Sequence, residues 1–109
     1  MNKVELDGRI GREPQIRETK NGNQVASFTI ATNETFQTAA GWQENTTWHR
    51  IVMWNDVLET VKENLKVGER LHIQGRLSNR SYEDKNGERK YITEVVATSA
   101  KIFQGAVES

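Results

Sequence analysis

One segment near the middle of the chain, residues 46–54, has the pattern of a β-strand that carries two tryptophans. Successive strand side chains point to opposite faces, so Trp48 and Trp54 share a face, with Arg50 and Val52 between them. Such large aromatics on one strand constrain the fold, because they must either fill a core or form a binding surface. A flat aromatic face with a cation suits stacking on unpaired nucleobases.

The other aromatic and basic residues favour the binding surface over the core. Phe36, Trp42, Tyr82 and Tyr91 fall on or beside predicted strands, and none lies on the predicted helix. Basic residues interleave with them along the chain: Arg9, Arg12, Arg17, Arg50, Arg76, Arg80, Lys85, Arg89 and Lys90. Interleaved aromatic and basic side chains are typical of channels for single-stranded nucleic acid.

The overall charge is balanced, with 15 basic and 15 acidic residues, which argues against a protein that coats duplex DNA through a general positive field. Basic charge is nevertheless local. Residues 76–90 contain five basic and three acidic residues, whereas the predicted helix carries Asp56, Glu59 and Glu63. A basic groove is therefore compatible with zero net charge.

The chain of 109 residues is long enough for one domain with a modest core. It has no apolar run of membrane-spanning length and no apolar signal region at its N-terminus, so we expect a cytoplasmic protein with no membrane partner. It has no cysteine, which excludes disulfides and thiolate metal sites. The fold must rest on packing, to which oligomer formation could add burial.

Apolar alternation predicts five strands, at residues 4–10, 24–32, 47–54, 71–82 and 91–97, the last continuing toward Phe103. Gly8 marks a bend or bulge in the first strand. Residues 11–23 form a connection that ends in a turn at Asn21-Gly22, and residues 37–46 form a polar loop. Residues 84–87 form a hairpin turn.

A single helix of about three turns is predicted after the third strand. Asp56 stands at the N-cap, with Glu59 at the capping-box spacing, and Gly68 is placed to end the helix. The apolar side of the helix consists of Val57, Leu58, Val61 and Leu65.

The order β-β-β-α-β-β, with one helix between strands 3 and 4, is that of the OB-fold. We therefore expect an all-β, five-stranded OB-fold barrel over residues 1–105, followed by a short C-terminal remnant at 106–109. Barrels of this type bind oligonucleotides or oligosaccharides on the face of strands 2 and 3 and with the loops between strands 1 and 2 and strands 4 and 5.

The sequence closely resembles the bacterial single-stranded DNA-binding proteins of the homotetrameric type. The resemblance covers residues 2 to about 103. In order, it rests on Asn2-Lys3-Val4, Leu6, Gly8-Arg9-Ile10-Gly11, Pro14, Arg17, Asn21-Gly22, Val25-Ala26, Ala31-Thr32, Thr47-Trp48-His49-Arg50-Ile51-Val52, Gly68, Gly75-Arg76-Leu77, Arg80-Ser81-Tyr82 and Tyr91-Ile92-Thr93-Glu94-Val95.

The resemblance implies sites for single-stranded DNA. The family's base-stacking aromatics fall on Phe36, Trp48, Trp54 and Tyr82, and its basic contacts to phosphate fall near Lys3, Arg17, Arg50, Arg80 and Arg89. Well-known members have tryptophan at the positions of Phe36 and Tyr82, so the aromatic face of this chain is smaller. For each basic residue the alternative is an ordinary solvated surface charge.

The resemblance also implies a homo-oligomer, a tetramer, with His49 at a subunit interface and Val4 and Leu6 at a dimer interface. Plain core packing is the alternative for Val4 and Leu6. Many family members continue into a flexible tail whose acidic tip recruits replication and repair enzymes. If the chain is complete at Ser109, we expect no partner proteins recruited through such a tail.

The function implied is sequence-nonspecific binding and protection of single-stranded DNA in replication, recombination and repair, on the nucleoid. We expect no enzymatic activity, cofactor or metal, because the carboxylates are scattered singly and no nucleophile elbow or phosphate-cradling glycine loop is present. The alternatives are an OB-fold replication-restart accessory protein that acts mainly through protein contacts, and a sugar-binding OB domain. The arginines favour phosphate over sugar.

Overall fold

The computed structural model describes residues 1–102 of the chain. Six strands and one α-helix make up this part, and a single 3-10 turn at Lys62–Asn64 follows the helix. The elements are β1 Val4–Ile10, β2 Gln15–Glu18, β3 Gln24–Thr38, β4 Gly41–Trp54, α1 Asn55–Val61, β5 Arg70–Glu83 and β6 Arg89–Ile102. No helix in residues 1–102 has the length and apolar character needed to cross a membrane.

Five of the strands close into a barrel. β1 pairs with β5, β5 with β6, and β4 with β3, all antiparallel, whereas β6 joins β4 in parallel. The barrel closes where Arg9 and Ile10 of β1 pair with Ala31 and Ile30 of β3. The helix lies between β4 and β5, which are the third and fourth barrel strands, so the predicted OB-fold is confirmed.

The barrel interior is filled by one apolar cluster. The fully buried side chains with the largest volumes are Ile10, Ile30, Ile51, Met53, Leu58, Leu71, Ile73 and Val61. Each such side chain contributes roughly 1.5–3 kcal/mol through its removal from water. The predicted alternation holds in β3, where Ala26, Phe28 and Ile30 point inward.

Gly8 does not form the predicted bend or bulge, because the β1–β5 register runs through it unbroken. A side chain at Gly8 would instead overlap the carbonyl oxygen of Ala31, so the glycine permits the close approach of β1 and β3 that closes the barrel. The bulge in the barrel lies opposite Gly75, where Thr98 of β6 is left out of the ladder.

The predicted polar loop at 37–46 is wrong: β3 and β4 continue through it as a long hairpin that turns at Ala39-Ala40. We refer to residues 33–46 as the hairpin arm. Within residues 1–102 the strands of the arm pair only with each other. At its tip, Thr38 Oγ1 accepts a hydrogen bond from the Ala40 amide (3.1 Å) and donates to the Gly41 carbonyl (3.0 Å). These bonds hold the turn without the Asn-Gly pair that marks such turns in a sequence.

The connection predicted at 11–23 contains a further strand, β2, which adds to the edge of the barrel beside β3. The turn at Asn21-Gly22 is present, with Gly22 at φ +85°. The 84–87 hairpin turn is confirmed, since Asp84 Oδ1 accepts hydrogen bonds from the amides of Asn86 and Glu88 (both 2.9 Å).

The helix is shorter than predicted and starts differently. It spans seven residues, and no side chain caps its N-terminus, so the capping box at Asp56 is not formed. Asn55 makes the corner instead, at φ 39°, and its Oδ1 accepts a hydrogen bond from the Gln24 amide (3.0 Å). Leu65 is buried but lies beyond the helix, as does Gly68.

Candidate nucleic-acid interface

The outer face of β4 presents Trp48, Arg50, Val52 and Trp54 in a row, while Ile51 and Met53 between them fill the barrel interior. Trp48 is 59% exposed and Trp54 is 39% exposed. Both indoles are therefore available on the outer surface, and the alternative that they belong to the core is wrong.

Strand pairing extends this row across the outer face of the barrel. Val25 of β3 lies opposite Trp54 of β4 and also opposite Arg17 of β2. The three residues form a line from the barrel edge to the aromatic row. Arg17 therefore lies on the same face as the tryptophans.

A groove of about 570 Å³ lies between the β1–β2 connection and β4, lined by Gly11, Arg12, Thr29, Trp48 and Arg50. A side chain at Gly11 would overlap the six-membered ring of Trp48, so this glycine lets the indole lie against the backbone. Thr29 Oγ1 is buried in the same groove and has no hydrogen-bond partner among residues 1–102. The groove thus combines an indole face, two guanidinium groups and an unused hydroxyl.

A second groove, of about 620 Å³, continues from Trp54 toward β5 and β6, past Arg17, Val52, Arg80 and Glu94. Ser78 and Arg80 line this groove, and strand alternation places Tyr82, two residues further along β5, on the same outer face. Tyr82 is exposed. Trp48, Trp54 and Tyr82 therefore lie on one continuous face, and their shared role in base stacking stays a prediction.

Arg80 is engaged by a carboxylate within the second groove. Its Nε and Nη2 donate to Glu94 Oε1 (2.9 Å) and Oε2 (3.1 Å), and Glu94 is only 8% exposed. These bonds raise the pKa of the Arg80 guanidinium above its ordinary value. The role of Arg80 as a phosphate contact stays a prediction, and in this structure its fork of donors is already paired.

Two of the predicted site residues, Phe36 and Arg89, lie away from the shared face, and a third, Lys3, lies outside the strands that form it. Phe36 pairs with Gln43 in the hairpin arm, on the side of the ribbon that carries Phe28 and Ile30 within the barrel. Arg89 lies on the other side of the β5–β6 hairpin from Tyr82, where its Nη1 donates to Ser81 Oγ (2.9 Å). Lys3 precedes β1 and is exposed.

The predicted interface residues lie on other surfaces of the barrel. Val4 and Leu6 are half-buried and pack against the core cluster. His49 is half-buried, and its Nε2 lies 2.9 Å from Thr32 Oγ1. Burial lowers the pKa of His49, an effect that the nearby Glu34 carboxylate partly opposes.

The outer face of β1 and β5 carries a small polar cluster. Glu5 Oε2 accepts hydrogen bonds from Gln74 Nε2 (3.3 Å) and His72 Nε2 (2.7 Å), which lower the pKa of the Glu5 carboxyl. Asp7 pairs with Arg70 beside it (2.9 Å). Within residues 1–102 no group of His, Asp and Glu side chains is arranged to hold a metal ion.

A closed OB barrel whose outer face carries exposed indoles, arginines and two open grooves defines an oligonucleotide-binding domain. Comparison with known families identifies the family of oligonucleotide-binding domains to which the chain belongs. The chain matches the family described as "Single-strand binding protein family" over residues 1–103. The chain therefore belongs to the single-strand binding protein family.

Individual relatives agree with this assignment. Single-stranded DNA-binding protein 1 of Chlorobaculum tepidum is 44% identical over 111 residues, which cover 100% of this chain and 68% of the relative. The single-stranded DNA-binding protein of Neisseria meningitidis serogroup A is 36% identical over 110 residues, which cover 100% of this chain and 63% of the relative. This chain thus spans about two thirds of the length of these relatives.

A solved structure shares the fold. A Plasmodium falciparum SSB in complex with ssDNA superposes with a TM-score of 0.82 at 32% sequence identity. The match covers 94% of this chain and 93% of that one. The likeness therefore extends over nearly the whole barrel.

Proposed function

We propose that this chain binds and protects single-stranded DNA without sequence preference. The observation that carries the proposal is the row of Trp48, Arg50 and Trp54, exposed on the outer face of a closed barrel of this family. Its fold neighbour was solved as a complex with ssDNA.

In the proposed mechanism the bases stack on aromatic faces and basic side chains follow the backbone. Trp48, Trp54 and Tyr82 supply the platforms on the barrel, and each stacked base contributes roughly 1–3 kcal/mol. Arg17 and Arg50 lie on the same face, where their guanidinium groups contact the DNA phosphates. Duplex DNA is disfavoured because its bases are already stacked on one another and offer no free faces.

The proposed roles of the chain are those of its family, in DNA replication, recombination and repair, in the cytoplasm on the nucleoid. The mechanism is non-catalytic binding. The alternative of a replication-restart accessory protein is not favoured, because the family model and the named relatives are single-strand binding proteins.

The test is intrinsic tryptophan fluorescence during titration with oligo-thymidine and, separately, with a duplex. We expect strong quenching by the single strand alone, since stacking places a base against an indole. Binding should weaken with salt, with a log–log slope of about −0.7 for each phosphate neutralised. If the single strand causes no quenching at low or high salt, the proposal is wrong.

We further propose that the chain assembles as a homotetramer, with His49 in a subunit contact. His49→Ala should then shift the assembly toward smaller species on dilution, measured by subunit mass. Burial lowers the pKa of His49, so a buried site opposes protonation. A subunit contact would bury His49 further, so the assembly should weaken as the pH falls through the lowered pKa of His49. The assembly of the His49→Gln variant should weaken less over the same pH range.

An assembly whose mass is unchanged by His49→Ala at low concentration would contradict this assignment. Val4 and Leu6 are the residues proposed for a separate dimer contact, through the half-buried side of β1. Leu6→Ala is the matched variant for that contact, and its effect on mass should not depend on pH in the histidine range.

A further inference from the structure

The hairpin arm carries a third tryptophan on the outer face. The β3–β4 register runs without a shift to the tip of the arm, so strand alternation places Trp42 on the same face as Trp48 and Trp54. Six residues separate each pair, which is roughly 20 Å along a strand. Trp42 is 70% exposed, more than either of the other two indoles.

The arm holds this indole on an ordered ribbon. At its base, Thr46 Oγ1 donates to Asn33 Oδ1 (2.6 Å) across the outer face of the two strands. At the tip, the Thr38 hydroxyl ties the turn to Gly41. Trp42 is therefore presented beyond the barrel in line with the row on β4.

We propose that Trp42 is an additional base-stacking site for single-stranded DNA, so that a strand leaving the barrel continues along the outer face of the hairpin arm. This inference rests on the function proposed above. DNA is the occupant because the arm continues the binding face without interruption: Trp48 stands where the arm joins the barrel.

The chemistry of the arm distinguishes this site from those on the barrel. Residues 33–46 contain no Lys or Arg, and Glu44 lies beside Trp42 on the outer face. The DNA phosphates have no basic partner on the arm. The DNA strand must therefore turn its bases toward the arm and its backbone away from it. Binding at Trp42 should therefore depend little on salt, in contrast to binding beside Arg50.

The first experiment uses the full chain with Trp42 as its only tryptophan, made by Trp48→Phe and Trp54→Phe. It is titrated with an oligo-thymidine of about 8 nucleotides, within the usual range of one OB domain, and with one about four times longer. We expect the long oligonucleotide to quench Trp42 strongly and the short one to quench it weakly.

The second experiment compares Trp42→Ala with Gln37→Ala, which removes the polar residue opposite Trp42 on the same face. Trp42→Ala should lower the affinity for the long oligonucleotide roughly 5-fold or more, with an unchanged salt slope. Affinity for the short oligonucleotide should be unaffected, and Gln37→Ala should match the wild type.

A second variant, with Trp48 as its only tryptophan, distinguishes a failure of the Trp42 site from a failure of the proposed function. If Trp48 is quenched and Trp42 is not, the Trp42 site is wrong while the proposed function stands. If neither is quenched, the proposed function itself fails. If Trp42→Ala changes the subunit mass but not the affinity, Trp42 contacts a second copy of the chain, which also overturns the inference.

Discussion

Replacing Trp48 with alanine should weaken binding to oligo-thymidine by about 5- to 150-fold, the equivalent of roughly 1–3 kcal/mol for one lost stacking platform. The indole is exposed, so little core packing is lost with it. It also lies against Gly11 and lines the first groove together with Arg12 and Arg50. The measurement is equilibrium binding at fixed salt, with unfolding monitored in parallel.

Tyr91→Ala is the matched control for this change. Tyr91 is an exposed aromatic residue of β6 and lies opposite Ser81, on the side of the β5–β6 hairpin away from Tyr82. Its loss should leave affinity unchanged. Trp48→Phe should recover much of the binding, because a smaller ring still stacks. Equal losses from Tyr91→Ala and Trp48→Ala would mean that β4 has no special role in binding.

The barrel and the Trp48–Trp54 face were predictable from the sequence because both follow from period-two alternation. Ile51 and Met53 must be buried for the barrel to have a core, and their neighbours are then forced outward. The Asp84 turn is likewise a local signal with one structural solution. Where burial on one face fixes the register, the sequence pattern is sufficient to predict the strand and the direction of its side chains.

The hairpin arm was not predictable in this way. Its residues are mostly polar and exposed on both faces, so no alternation marks it as strand, and its turn lacks the usual Asn or Gly pair. The sequence pattern therefore predicts a loop around Trp42, although Trp42 continues the aromatic row. The signal that could have found it is the repeated six-residue spacing from Trp42 to Trp48 to Trp54.

The pairing of Arg80 with Glu94 could not be predicted from the sequence either, because the two residues are 14 positions apart on two strands of a long hairpin. Only the register, which places Ser78 opposite Glu94, brings the carboxylate within reach of the guanidinium. An arginine that the sequence marks as a phosphate contact is thus held by an almost buried anion.

Replacing Arg80 with alanine should destabilise the fold by roughly 1–3 kcal/mol, because the buried Glu94 carboxylate loses both of its donors. The exposure of the Arg80 side chain, 59%, keeps the effect below that of a fully buried pair. Adding Glu94→Gln to Arg80→Ala should recover most of the loss, since no unpaired charge remains. Urea unfolding at one fixed protein concentration measures both variants.

The salt dependence of binding then decides what Arg80 does toward DNA. If Glu94 keeps the guanidinium, Arg80→Ala leaves the log–log salt slope unchanged, whereas Arg50→Ala reduces its magnitude by about 0.7, the value for one phosphate. Glu94→Gln frees the guanidinium and should increase the magnitude by about the same amount. An equal reduction by Arg80→Ala and Arg50→Ala would instead mean that the pair opens when DNA binds. Glu94 would then be an anion uncovered in the groove, and wild-type affinity would be lower than that of Glu94→Gln, because binding must separate the pair before Arg80 can reach phosphate.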